Sequence, residues 1–220
     1  MTAKDYFGYY WNYIDKQELN KIMVQLKRLY STKSVCPAFK NVFKAFKVCP
    51  FKELKVIILG QDPYPQKDVA TGVAFANKKG TSVLSPSLEV LKKAVSGDFY
   101  YQNFITFAPD LEEWGKQGVL LLNSALTVET NKIGSHTLLW RPFISKFLSS
   151  ISKDNPGLVY VLFGNQAQTF KSYIHNGHIV EEKHPSYYVR TNTDMPISTF
   201  QKVNELLKQY WDSKINWFNK

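Results

Sequence analysis

Three short runs constrain this chain more than anything else in it: Val56-Ile57-Ile58-Leu59, Val119-Leu120-Leu121-Leu122 and Leu158-Val159-Tyr160-Val161-Leu162-Phe163 are apolar without interruption. A strand with one wet face alternates apolar and polar residues, so unbroken runs of this length predict strands covered on both faces, as in a parallel sheet held between helices. Each run also ends in chemistry. Gly60-Gln61-Asp62-Pro63-Tyr64-Pro65 follows the first, Asn123 closes the second, and Gly164-Asn165 breaks the third. A fourth strand is expected over His178-Ile179-Val180-Glu181-Glu182, running into His184-Pro185-Ser186. In open α/β sheets ligands bind beyond the carboxyl ends of the strands, so Asp62, Asn123, Asn165 and His184 are expected around one crevice. Pro63 and Pro65 fix their own φ and push Asp62 and Tyr64 toward extended backbone, which makes the first of these loops stiff.

Helical patterns separate the runs. Leu19, Ile22, Met23, Leu26 and Leu29 keep a helical period within an amphipathic stretch from Asp5 to Tyr30. Ser31 to Pro50 reads as loop with a short helix through Phe39, Val42, Phe43 and Phe46, and Phe99 to Glu113 as irregular and aromatic. Ser85-Pro86-Ser87 reads as the cap and first turn of a helix reaching Val95. Further helices are expected from Phe143 to Ile151, from Ala167 to Ile174, and from Met195 to Tyr210 with a cap near Ser198. Strands alternating with helices predict a three-layer α/β/α sandwich around a mainly parallel four-stranded sheet. We expect one domain over 1–220, with a helical N-terminal part (1–53) and an α/β core (54–210).

Composition narrows the function classes. Aromatic residues at 15% and hydrophobic residues at 44% exclude a disordered chain. No apolar run approaches a bilayer span and the first residues lack a secretory signal, so a cytoplasmic protein with no membrane partner is expected. Cys36 and Cys49 are too few for a disulfide framework or an iron–sulfur cluster, and their spacing with His175 and His178 matches no zinc pattern, which leaves buried reduced thiols. A net charge of +10 favours a polyanionic partner such as nucleic acid, although lysines spread evenly over the surface give the same sum.

Taken together and in order, Gly60-Gln61-Asp62-Pro63-Tyr64, Gly72-Val73-Ala74-Phe75, Pro86-Ser87-Leu88, Gly118 to Asn123 and His184-Pro185-Ser186 closely resemble the family-1 uracil-DNA glycosylases, from about Leu54 to Leu207. The resemblance implies an enzyme that flips uracil out of DNA and hydrolyses its N-glycosidic bond, leaving free uracil and an abasic site at the start of base excision repair. It implies no metal and no other cofactor. By position, Asp62 resembles the carboxylate that orients the attacking water and stabilises the developing positive sugar, and His184 the donor to uracil O2. Gln61 and Asp62 would lend main-chain amides at O2. Asn123 would pair with the O4 and N3 edge, Phe75 stack on the ring, and Tyr64 fill the space of a thymine methyl. Pro65, Ser87, Gly164, Asn165, Ser186, Tyr188 and Arg190 are the expected DNA contacts. The implied partners are uracil-containing DNA, single- or double-stranded, and a DNA-mimicking protein inhibitor, with the chain acting as a monomer.

The chain departs from the family pattern at three places. Pro65 stands where histidine is usual, removing a side chain able to contact phosphate. Ser85 replaces a proline, which is expected to loosen its loop. Tyr187-Tyr188-Val189-Arg190 replaces Pro-Leu-Ser, so Tyr188 falls at the position of the leucine that wedges into the DNA stack. The rival reading is a catalytically weak DNA-binding scaffold or replication-complex subunit with the same fold, against which Asp62 and His184 argue. A metal-dependent nucleotide hydrolase would need carboxylates or histidines clustered at the strand ends, where one of each is found.

Overall fold

The three apolar runs fold side by side. The computed structural model describes residues 2–97 and 107–218. Numbered along the chain, its strands are β1 (Val35–Cys36), β2 (Val56–Gly60), β3 (Val119–Asn123), β4 (Val128–Glu129), β5 (Val159–Phe163) and β6 (His178–Glu182). Four of them form one sheet in the order β3-β2-β5-β6, every neighbouring pair parallel, while β1 and β4 make a separate antiparallel ladder. Every residue of β2, β3 and β5 is buried, as unbroken apolar runs require, and the edge strand β6 is only half-buried.

Alternation within these strands divides the core in two. Ile57, Leu59, Leu120, Leu122, Tyr160 and Leu162 pack with α1 (Ala3–Phe7), α2 (Lys16–Thr32), α3 (Lys44–Val48) and α6 (Thr137–Asp154). Val56, Ile58, Val119, Leu121, Val159 and Val161 face the other way, against α4 (Pro86–Ser96), α5 (Glu112–Lys116), α8 (Pro185–Thr191) and α9 (Ser198–Trp211). The sheet is thus the middle layer of three, and the N-terminal helices share its core. No helix among the described residues is long and apolar enough to cross a membrane.

Some boundaries differ from the sequence pattern. Asp5 to Tyr30 is α1, a 3-10 turn over Gly8–Tyr13, and α2, whose start is capped by Asp15 accepting from the Glu18 amide at 2.9 Å. The helix expected from Ala167 to Ile174 is α7 (Gly164–Gln168) followed by a 3-10 turn over Lys171–Tyr173, and α9 starts at Ser198 without a side-chain cap. Of the aromatic stretch expected from Phe99 to Glu113, residues 99–106 lie outside those described. The four residues weighed as zinc ligands are engaged elsewhere. Cys49 accepts from the Tyr10 hydroxyl, Cys36 lies by the Pro65 and Gln66 carbonyls, His175 bonds Ser149, and His178 stacks on Tyr210.

The winding positions a site. From β2 the chain passes to β3 on one side, then crosses back over β2 to β5 on the other. Connections that leave adjacent strands in opposite directions, here β2 to β3 and β5 to β6, open a crevice between the carboxyl ends of those strands, β2 and β5. On the other side of β2, Gly60 pairs level with Asn123 at the rim.

Candidate active site

The loop leaving β2 is tied down before it reaches its carboxylate. Gly60 O accepts from the Ser124 amide at 2.9 Å, and Gln61 O accepts from the Ala125 amide at 3.0 Å and the Ser124 hydroxyl at 2.9 Å. Asp62 then uses one oxygen only. Its Oδ2 accepts from the Gly134 amide at 2.7 Å and from Gln61 Nε2 at 3.3 Å, while Oδ1 is buried with no hydrogen-bond partner among the described residues. Burial pushes the Asp62 pKa up, and the two donors oppose that by favouring the charged form. A carboxylate bound on one side keeps the other as a fixed acceptor.

His184 lies just beyond β6, at the N-cap of α8. The Ser186 amide donates to its Nδ1 at 3.2 Å, and the Ser186 hydroxyl is 2.9 Å from the same nitrogen. An amide N–H can only donate, so Nδ1 is unprotonated and the neutral ring carries its hydrogen on Nε2. Burial first and the Arg190 charge second push the pKa of His184 down to about 4, which keeps the ring neutral at pH 7. His184 is therefore an uncharged donor. Gly164, at φ +82°, backs it closely: a Cβ there would lie 2.7 Å from His184 Cβ.

Between these two groups is a pocket for a flat polar ring. Asn123 is 7% exposed, yet no group among the described residues bonds its side-chain amide. The Phe75 ring stands edge-on to Phe163 at 5.5 Å and lies 5.6 Å from His184. Phe75 has φ +65°, a strained value outside glycine, and the Tyr64 hydroxyl donates to its carbonyl at 2.8 Å. Gly60 leaves the room both side chains need, since a Cβ on it would lie 2.6 Å from Asn123 Oδ1 and 2.9 Å from Phe75 Cζ. One cleft of about 700 Å³ is lined by Gln61, Asp62, Tyr64, Phe75, Asn123 and His184, and by Pro65, Ser87, Ser186 and Arg190. An anion on one wall and a neutral donor on another suit a bond cleavage that leaves opposite charges on its two fragments.

Three expectations change. Gly164 and Asn165 are not among the cleft-lining residues: Gly164 makes room for His184, and Asn165 is exposed at the start of α7. Tyr188 is not among the cleft-lining residues. It is 7% exposed, packed in the second core, and its hydroxyl donates to Glu182 Oε1 at 2.7 Å, because the helical phase of α8 turns this position toward the sheet. The exposed neighbours Val189 and Arg190 line the cleft instead. Ser85, expected to loosen its loop, is tied in the folded chain by Asn77 at both its amide and its hydroxyl. Sequence reasoning also missed Gly134 and Asn77, and gave Gly60 no role beyond opening the motif. Gly134 acts through a main-chain amide and Gly60 through a missing side chain.

Known proteins share this architecture. The family model described as the Uracil DNA glycosylase superfamily matches residues 46–208. The chain is 38% identical to a uracil-DNA glycosylase of Campylobacter jejuni over 94% of its length and 87% of that protein. It is 34% identical to one of Mesomycoplasma hyopneumoniae, covering 96% of this chain and 95% of that one. The crystal structure of mimivirus uracil-DNA glycosylase superposes with a TM-score of 0.74 at 22% identity, covering 98% of this chain and 91% of the other. A variant of the mimivirus protein in complex with UGI gives 0.79 at 23% identity, over 97% and 86%.

Proposed function

The chain belongs to the uracil DNA glycosylase superfamily, and from that premise we propose that it is a family-1 uracil-DNA glycosylase that releases uracil from DNA by hydrolysis. One observation supports this most: the partnerless Asp62 Oδ1 and the neutral His184 border a single cleft that also holds the unbonded Asn123 amide and the Phe75 ring. A flipped uracil stacks on Phe75 and offers its O4 and N3 edge to Asn123, which supplies both a donor and an acceptor. Tyr64, anchored on the Phe75 carbonyl, stands where a thymine methyl would intrude. As the glycosidic bond lengthens, the sugar gains positive charge and the base negative charge. Asp62 Oδ1 orients the attacking water and faces the sugar, while His184 Nε2–H donates to uracil O2.

The reaction is taken to be monofunctional and independent of metal, since each charge that develops has a protein group placed for it. The chain is proposed to act as a monomer. Ser87, Ser186 and Arg190 border the cleft and suit phosphate oxygens of single- or double-stranded DNA. A DNA-mimicking protein inhibitor would occupy the same cleft, in line with the UGI complex of the mimivirus protein. The compartment proposed is the cytoplasm, or wherever the DNA substrate is held. The test is release of free uracil from a single-uracil oligonucleotide in excess chelator, by wild type and by Asp62→Asn. Release by wild type and its loss in the variant is the expected result. A wild-type chain that binds the oligonucleotide but releases nothing would make it a scaffold.

A further inference from the structure

Ser85 stands in the wall of the cleft, one residue before α4, in backbone that a proline would fit: φ is −61° and ψ 142°. It does not use its hydroxyl to cap that helix. Asn77, only 3% exposed, takes both polar groups of Ser85 instead. Asn77 Nδ2 donates to Ser85 Oγ at 2.6 Å, and Asn77 Oδ1 accepts from the Ser85 amide at 2.7 Å. A proline has neither group. Asn77 is itself anchored, its own amide donating to Pro109 O at 2.8 Å.

We propose that Asn77 is a positioning residue whose two-bond clamp on Ser85 gives the turn into α4 the stiffness that a proline at this φ would give, fixing Ser87 for the DNA backbone. The inference rests on the glycosylase reading. Asn77 lines the cleft two residues beyond Phe75, so the clamp joins the stacking segment to the Ser85-Pro86-Ser87 segment. Two hydrogen bonds on one residue hold position and direction together. A loop free to swing would present Ser87 over a range of positions, and binding would bear the cost of ordering it.

The physics of stranded polar groups supplies a sharp test. Asn77→Ala leaves the Ser85 amide and hydroxyl without partners, and Ser85→Pro leaves a buried asparagine amide unpaired. The double substitution removes both sides at once and adds the ring that fixes φ. Steady-state uracil release from a duplex oligonucleotide is measured for wild type, both single variants and the double, with thermal melting alongside. Each single variant is expected to raise KM about tenfold with kcat changed less than about threefold, and the double to return KM to within about threefold of wild type. The milder Ser85→Ala, which keeps the amide bond, should raise KM by a few fold. It also serves if a single variant fails to fold. Singles with unchanged KM, a double as poor as the two losses combined, or a rescue seen in melting temperature alone would overturn the proposal. In each of those cases an active wild type leaves the glycosylase reading standing; a wild type that releases no uracil defeats that reading itself.

Discussion

Gly60→Ala should disable the pocket while leaving the sheet intact. Gly60 is the last residue of β2, paired with Asn123 in β3, and its φ lies outside the left-handed region, so alanine can adopt the backbone without strain. The obstruction is local. An added Cβ would sit 2.6 Å from Asn123 Oδ1 and 2.9 Å from Phe75 Cζ, whereas ordinary contact begins near 3.4 Å. Asn123 must therefore retreat by about 0.8 Å and Phe75 by about 0.5 Å. Asparagine is short and this one is buried, so it can only turn its amide away or push the strand. Misplacing a positioning group by about 1 Å can cost a factor of about 100, and overpacking costs about 1–3 kcal/mol. We expect kcat/KM for uracil release to fall about a hundredfold, inhibition by free uracil to weaken in parallel, and affinity for uracil-free duplex to stay unchanged. Kinetics within about threefold of wild type, in a protein that melts normally, would refute the view that Gly60 sets the pocket floor.

Three further outcomes follow from the same geometry. Asp62→Asn should slow uracil release by about 10²–10³ while raising the melting temperature at pH 7. Burial raises the Asp62 pKa, so its charge penalises the native state above the folded value and not below the ordinary 3.8; the thermal gain should shrink to nothing as pH falls through that window, and a gain constant from pH 3.5 to 8 would contradict it. His184 is already neutral well above its depressed value near 4, so single-turnover rates should show no break at the ordinary imidazole value of 6.5, and a break there would mean that the ring titrates freely. Tyr188→Phe removes the bond to Glu182 and should lower the melting temperature by about 2–4 °C with equal effects on single-stranded and duplex substrates; an unchanged melting temperature would mean that this bond does not hold α8 to β6.

What could be read in advance divides along physical lines. β2, β3 and β5 were legible because burial on both faces leaves no polar residue in the run, and a five-residue strand cannot be mistaken for the longer helical periods around it. β1 and β4 were not, since two-residue strands have no period to detect. Asp62, Tyr64, Phe75, Asn123 and His184 were legible for a different reason: each acts through a side chain whose chemistry is written in its own letter. The groups that make them effective are not written that way. Gly134 gives Asp62 a main-chain amide, which every residue but proline possesses, and only the fold decides which amide arrives at the carboxylate. Tyr188 shows the reverse failure, where the letter suggests an exposed ring and the phase of a seven-residue helix buries it. Ser85 looked like a weakened proline until Asn77, eight residues back across an irregular loop, was seen to hold it. In this chain the reacting groups belong to the sequence pattern, while their aim belongs to amides, glycines and a buried asparagine. Substitutions at those supporting positions should therefore move KM and pH dependence before they touch the fold.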